Sequence, residues 1–133
     1  DRLADLTFNS DDLAEASTAL GLVVDEIPLS HYYSGMFGGP VRAAPFAMFG
    51  TDQLAINVAE ALRDRSGALM ANHGAITTGP TLAKALSLLP YLEYICEIQL
   101  RAMATGAAIK YVSDAEMEQA IIGMSTYGQP QKN

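Results

Sequence analysis

The sequence predicts an α/β fold in which a central, largely antiparallel sheet is flanked by helices. Three observations predict it. Short β-branched and aromatic stretches broken by Gly and Pro lie between positions 27 and 49, a second apolar stretch turns at Asn72-His73-Gly74, and longer segments carry an apolar period of about 3.6 residues. The 133 residues predict a single domain over 1–133. A domain of that size buries about two thirds of its unfolded surface. Half the residues are apolar and 17% are charged, the composition of a packed globule rather than a disordered chain.

From the start, Asp1 to Glu26 holds seven acidic side chains and one basic one, Arg2. It contains one short helix, Ser10 to Leu20, with Ser10 as cap, Asp11 and Asp12 at its positive end, and Gly21 as its left-handed stop. The acidic run reads as a solvated helix start, with a metal-binding loop as the sharper alternative. From Ile27 to Phe49, the residues around Gly35, Gly38, Gly39, Pro40 and Pro45 predict two strands joined by a glycine turn, a hairpin. Alternation along it puts His31 on one strand face and Tyr32 on the other.

Thr51 caps the next helix, whose apolar positions Leu54, Val58, Ala61 and Leu62 face one core and which ends near Arg63 and Arg65. Ala68 to Ala71 form a strand, Asn72-His73-Gly74 a turn, and Ala75 to Thr78 lead out of it. Pro80 opens the longest helix, with a stripe of Leu82, Ala85, Leu86, Leu89, Leu92, Cys96, Leu100 and Met103. Pro90 predicts a kink or a division into two helices, and Glu97 with Arg101 makes an i, i+4 surface pair. Ser113-Asp114-Ala115-Glu116 is a capping box for a last helix through Ile121, Ile122 and Met124, followed by a polar and mobile tail over 128–133.

Charge and motif content exclude several functions. Eight basic against fifteen acidic residues give a net charge of -7, which opposes binding to nucleic acid or an anionic membrane. No apolar run reaches the length of a membrane span, and the start lacks a secretory pattern. Cys96 is the single cysteine and sits in an apolar stripe, so a packed thiol in a reducing cytoplasm is expected. Neither a GxGxxG nor a Walker sequence is present, and Gly123 to Gly128 lacks the spacing of a serine nucleophile elbow. His31 and His73 are the only imidazoles. His31 reads as structural. His73 sits between a buried strand and a glycine, which suits either a turn hydrogen bond or one ligand of a metal site that needs three or four.

The strings IPLSHYYSGMFGGPVRAAPFAMFGT and ALMANHGAITTG, then Leu92-Glu93 on the long helix, then SDAEME and STYGQ, run in one order from about Thr18 to Gln129. Together they resemble the class II aldolase and adducin-head family, on the side of its fuculose-phosphate aldolases. The resemblance implies a zinc-dependent lyase that splits a ketose 1-phosphate, such as L-fuculose 1-phosphate, into dihydroxyacetone phosphate and an aldehyde. It also implies a homotetramer with sites between subunits. By the same match His73 is the third zinc ligand, Tyr32 the tyrosine that handles the proton on the aldehyde oxygen in a neighbouring subunit's site, Phe49 an aromatic wall, and Tyr127 a tyrosine on a tail that closes over substrate.

The chain also departs from the family. Its other two zinc ligands come from an upstream His-x-His pair, its base from a glutamate before that, and its phosphate contacts from loops nearer the N-terminus. Counted back without gaps, the His-x-His positions fall on Asp11 and Leu13, and leucine binds no metal. Residues 1–17 are thus a divergent acidic start, and a fold truncated at its N-terminus, with an incomplete Zn2+ site, is the expectation. The alternatives are a non-catalytic adducin-like interaction module, a pentulose-phosphate 4-epimerase, or a methylthioribulose-phosphate dehydratase.

Overall fold

The computed structural model describes residues 25–127. Four short strands, β1 (Glu26–Ile27), β2 (Val41–Ala44), β3 (Gly67–Met70) and β4 (Gly74–Thr77), form one sheet in that order. A 3-10 helix, Tyr32–Phe37, joins β1 to β2, and three α-helices follow: α1 (Asp52–Ala61), α2 (Leu82–Ala104) and α3 (Asp114–Thr126). The expected helix at Ser10–Leu20, Asp11 itself, and the tail at 128–133 lie outside the described residues.

β1 pairs with β2 and β3 with β4 antiparallel, whereas β2 and β3 run parallel with Ala43 opposite Leu69. A parallel pair needs a crossover, and α1 supplies it. Alternation then splits the strands between two cores. Val41 and Leu69 point towards α2, where they pack with Phe37, Leu88, Leu92, Ile95 and Cys96. Ala44 and Ala68 point the other way, to Ala61, Val58 and Leu62 of α1. The sheet is therefore the middle of three layers. As expected, Cys96 is a buried thiol, pushed up to about 12 by its burial.

Two expectations are corrected. β1 and β2 do pair, but no glycine turn joins them directly. His31 has extended backbone and its Nδ1 accepts the Tyr33 N–H at 3.2 Å, an N-cap that starts a 3-10 helix where alternation predicted strand. Gly38, at φ 87°, stops it in the left-handed region that glycine occupies without strain. The rings of His31 and Tyr32 accordingly touch, at 4.6 Å, instead of facing opposite sides.

The second correction is the stripe on α2. Leu88, Leu92, Ile95, Cys96, Gln99 and Leu100 are buried, but Leu82 and Leu86 at its start are exposed. At about 3.6 residues per turn Leu82 and Leu86 lie around the helix from Leu88, Leu92 and Ile95, and Thr77 at the end of β4 donates to the Ala85 carbonyl between them. They flank the buried face rather than belong to it. The helix continues through Pro90 as one element rather than two. Thr51 caps α1, the Ser113–Glu116 capping box opens α3, and Glu97 pairs with Arg101 on the surface, all as expected. No helix among the described residues is long and apolar enough to cross a membrane.

Candidate active site

His73 closes the β3–β4 hairpin. Asn72 takes φ 59° and Gly74 φ 140°, so the turn uses one residue type that tolerates the left-handed region and one with no side chain to hinder it. The His73 N–H donates to the Met70 carbonyl at 3.0 Å. Its half-buried ring reaches the loop between β2 and α1, with Nε2 2.9 Å from the Ala47 carbonyl and the Phe46 ring stacked on it at 5.5 Å and 25°. The same loop carries Phe49, 76% exposed, and is tied down by Asn57 donating to the Pro45 carbonyl and Thr51 donating to the Met48 carbonyl.

Tyr32 and Tyr127 occupy a different place. They share a groove of about 690 Å³ with Tyr33, Met36, Tyr91 and Met124, between the 3-10 helix, α2 and α3. The aromatic rings there interlock: Tyr32 meets Tyr33 at 4.7 Å, and Tyr33 meets Tyr91 at 5.1 Å, almost perpendicular. Tyr33 comes first among the groups that hold the Tyr32 phenol above its ordinary value of 10.0, with lesser contributions from Tyr94 and Tyr127. Tyr127 ends α3 and is 89% exposed. The two helices that carry these phenols meet at Gly35, where an added Cβ would lie 3.1 Å from Ile121 and 3.2 Å from Met117. Nothing larger than glycine allows that approach without movement.

Within one chain, then, Tyr32 lies with Tyr127, and His73 with the Phe49 loop, but the pairs are apart. The tyrosine groove shares Met36, Tyr91 and Met124 with a neighbouring groove of about 770 Å³ that reaches Ser66 and Thr78, at the open end of the β3–β4 hairpin. His73 is at the closed end and lines neither. Sequence reading passed over Tyr33, Tyr91, Phe46 and the Ala47 carbonyl. The tyrosine doublet at 32–33 was the one visible signal among these, since partners 26 residues apart leave no local pattern.

His73 is a single imidazole, and among the described residues no group of three or more His, Cys, Asp or Glu side chains stands together to hold a metal. The described residues alone therefore do not fit a zinc site, which takes three or four protein ligands.

Comparison with known proteins agrees with this architecture. Residues 14–100 match the family model of the class II aldolase and adducin N-terminal domain. The L-fuculose phosphate aldolase of Escherichia coli is 34% identical over 112 residues, covering 84% of this chain and 52% of that protein. The 5-methylthioribulose-1-phosphate/5-deoxyribulose-1-phosphate aldolase of Rhodospirillum rubrum is 34% identical over 116 residues, covering 86% and 52%. The solved structure of an L-fuculose 1-phosphate aldolase superposes with a TM-score of 0.74 at 31% identity over 85% of this chain and 51% of that one. The chain thus spans about half the length of the curated relatives it matches. With the family model running from the acidic start through most of α2, and with the sheet and helices superposing on a solved aldolase, the chain belongs to the class II aldolase and adducin N-terminal domain family.

Proposed function

We propose that this chain is part of a cytoplasmic, zinc-dependent aldolase that cleaves a ketose 1-phosphate, such as L-fuculose 1-phosphate, to dihydroxyacetone phosphate and an aldehyde. The observation that carries the reading is the likeness, over 84% and 86% of the chain, to two aldolases named for sugar phosphates, one of them for ribulose 1-phosphates. A 5-deoxyribulose or methylthioribulose 1-phosphate is the second substrate to try, because one of those relatives is named for both.

In this reading Tyr32 is the acid of the reaction. In the condensation direction its phenol gives a proton to the aldehyde oxygen as the carbon–carbon bond forms, and in cleavage the phenolate takes that proton back. Tyr33 beside it favours the protonated phenol, the form that gives the proton in the condensation direction. Tyr127, at the exposed end of α3, covers the substrate and excludes water. Phe49 forms an apolar wall near His73, and His73 is one zinc ligand. A bound zinc would stabilise the enediolate charge, but the described residues do not complete its site, so no step is assigned through it. Separation of the tyrosine groove from the His73 turn supports a homotetramer in which one subunit's tyrosine serves another's His73.

The test is release of dihydroxyacetone phosphate from L-fuculose 1-phosphate and from 5-deoxyribulose 1-phosphate. It is run on the purified chain with zinc, alone and mixed with the N-terminal half of the Escherichia coli aldolase. Cleavage that disappears in Tyr32→Phe supports the proposal. No product from either sugar under any of these conditions rejects it.

A further inference from the structure

We propose that His31 is a positioning residue for Tyr32: its Nδ1 accepts the Tyr33 N–H and so sets the first turn of the 3-10 helix and the direction of the Tyr32 ring. Tyr32 is the first residue of that helix and is half exposed, so few contacts other than the turn itself direct its ring. The far end of the helix is closed by backbone alone, with the Gly38 and Gly39 N–H groups donating to the Gly35 and Ser34 carbonyls. The near end has no such closure, because the first N–H groups of a helix lack partners within it. His31 supplies one for Tyr33 at 3.2 Å from an extended backbone, and its own carbonyl accepts the Ser34 N–H at 3.1 Å.

The imidazole is itself anchored from outside this helix. Tyr94, on α2 beside the buried Ile95, meets its ring edge-on at 5.3 Å and 85°, while Tyr32 and Tyr33 meet it at 4.6 Å and 4.5 Å. The His31 ring therefore links the long helix to the Tyr32 phenol. An imidazole nitrogen accepts a hydrogen bond only while it carries no proton, so the cap needs the neutral ring with its proton on Nε2. Burial holds His31 below its ordinary value of 6.5, which favours the neutral ring, and the groups that face it are the phenols of Tyr32, Tyr33 and Tyr94. Protonation sets an N–H on Nδ1 against the Tyr33 N–H and removes the cap. That Tyr32 serves a substrate rests on the aldolase reading; the placement of its ring by His31 does not.

Asparagine and glutamine separate the cap from the bulk of the side chain. Asparagine is a strong N-cap whose Oδ1 lies as far along the side chain as Nδ1 does, whereas the glutamine Oε1 lies one bond farther, at the place of Nε2. In NMR of the full chain at pH 7, the NOE between the Tyr32 and Tyr33 rings and the protection of the Tyr33 amide are expected in the parent. Both should fall several-fold in His31→Ala, return in His31→Asn and stay low in His31→Gln. Lowering the pH until nitrogen NMR shows His31 protonated should reproduce the alanine result in the parent and leave His31→Asn unchanged. An NOE and a protection that survive that protonation, or a glutamine variant that matches asparagine, overturn the proposal, and this comparison stands even where His31→Ala does not fold. Cleavage under the conditions given above is read separately. A kcat several-fold lower in His31→Gln than in His31→Asn, at an unchanged KM, supports both readings, and an equal, measurable kcat overturns the positioning. No cleavage by any variant or the parent, with the NOE pattern as expected, rejects the aldolase reading and supports the placement of Tyr32.

Discussion

Replacing Gly35 tests whether one close approach sets the tyrosine groove. Gly35 is buried and is not among the glycines with positive φ, so its backbone accepts any residue and only space is at issue. An alanine Cβ would meet Ile121 Cγ1 at 3.1 Å, Met117 Sδ at 3.2 Å and Met124 Cε at 3.5 Å, each of them part of a side chain on α3 that can give a few tenths of an ångström. Crowding of that kind costs about 1 kcal/mol, and Gly→Ala recovers about 0.4–1 kcal/mol by restricting the unfolded chain. Gly35→Ala should therefore be nearly neutral. Gly35→Leu adds atoms that cannot fit, and its cheapest relaxation is to lift α3, which rests chiefly on the 3-10 helix and buries only Met117 fully. Exposing one methionine costs about 1.5–3 kcal/mol, so the loss should level off there while the sheet and α2 stay folded. Urea unfolding gives the total, and amide exchange over 114–126 shows where it falls. If Gly35→Leu keeps α3 as protected as in the parent, or unfolds the sheet with it, Gly35 is not the seat of that helix.

Two further outcomes follow from ionisation. The Glu116 carboxyl is held below its ordinary value of 4.5, first by the Ser113 backbone N–H and then by the Ser113 hydroxyl. A lowered folded value stabilises above the unfolded value and is lost as pH falls through the folded one, so Glu116→Gln should melt earlier than the parent at pH 7, by a margin that shrinks as the pH falls below 4.5. Burial pushes the Cys96 thiol up to about 12 from 9.0, so folding loses stability as pH rises from 9.0 towards that value. At neutral pH a thiol reagent should modify Cys96 no faster than the chain opens, and rapid labelling of the folded protein would contradict its burial.

Elements with strong local chemistry were legible in the sequence. Thr51 and the Ser113–Glu116 box fixed the starts of α1 and α3, and Asn72 with Gly74 fixed the hairpin turn that presents His73. The misreadings arose where a non-local or less usual partner decided the outcome. His31 looks like a strand residue until its ring nitrogen is seen to cap a 3-10 helix. Leu82 and Leu86 flank the face centred on Leu88, Leu92 and Ile95, because an apolar pattern with a helical period does not by itself fix where the buried face is centred. The parallel step from β2 to β3 depends on where α1 crosses, which no strand pattern encodes. For the site, the resemblance supplied the names of Tyr32, Tyr127, Phe49 and His73, and the coordinates supplied their grouping.

That grouping leads to a last test, of whether a working site is shared between chains. If one subunit's Tyr32 serves its neighbour's His73, a Tyr32→Phe chain still offers an intact His73 and a His73→Ala chain an intact Tyr32. Each variant assembled by itself should be inactive. In a randomly mixed ring every site draws one residue from each of two chains, each intact half of the time, so about a quarter of the sites should be whole. Unfolding the two variants together and refolding them, with the cleavage assay proposed above as readout, should then recover about a quarter of the parent activity, whereas mixing folded oligomers that do not exchange should recover none. If both residues act within one chain, every chain in the mixture lacks one of them and nothing returns. Co-assembly verified by mass, with no recovered cleavage, would mean that the separation of the tyrosine groove from the His73 turn is bridged by movement within a single subunit.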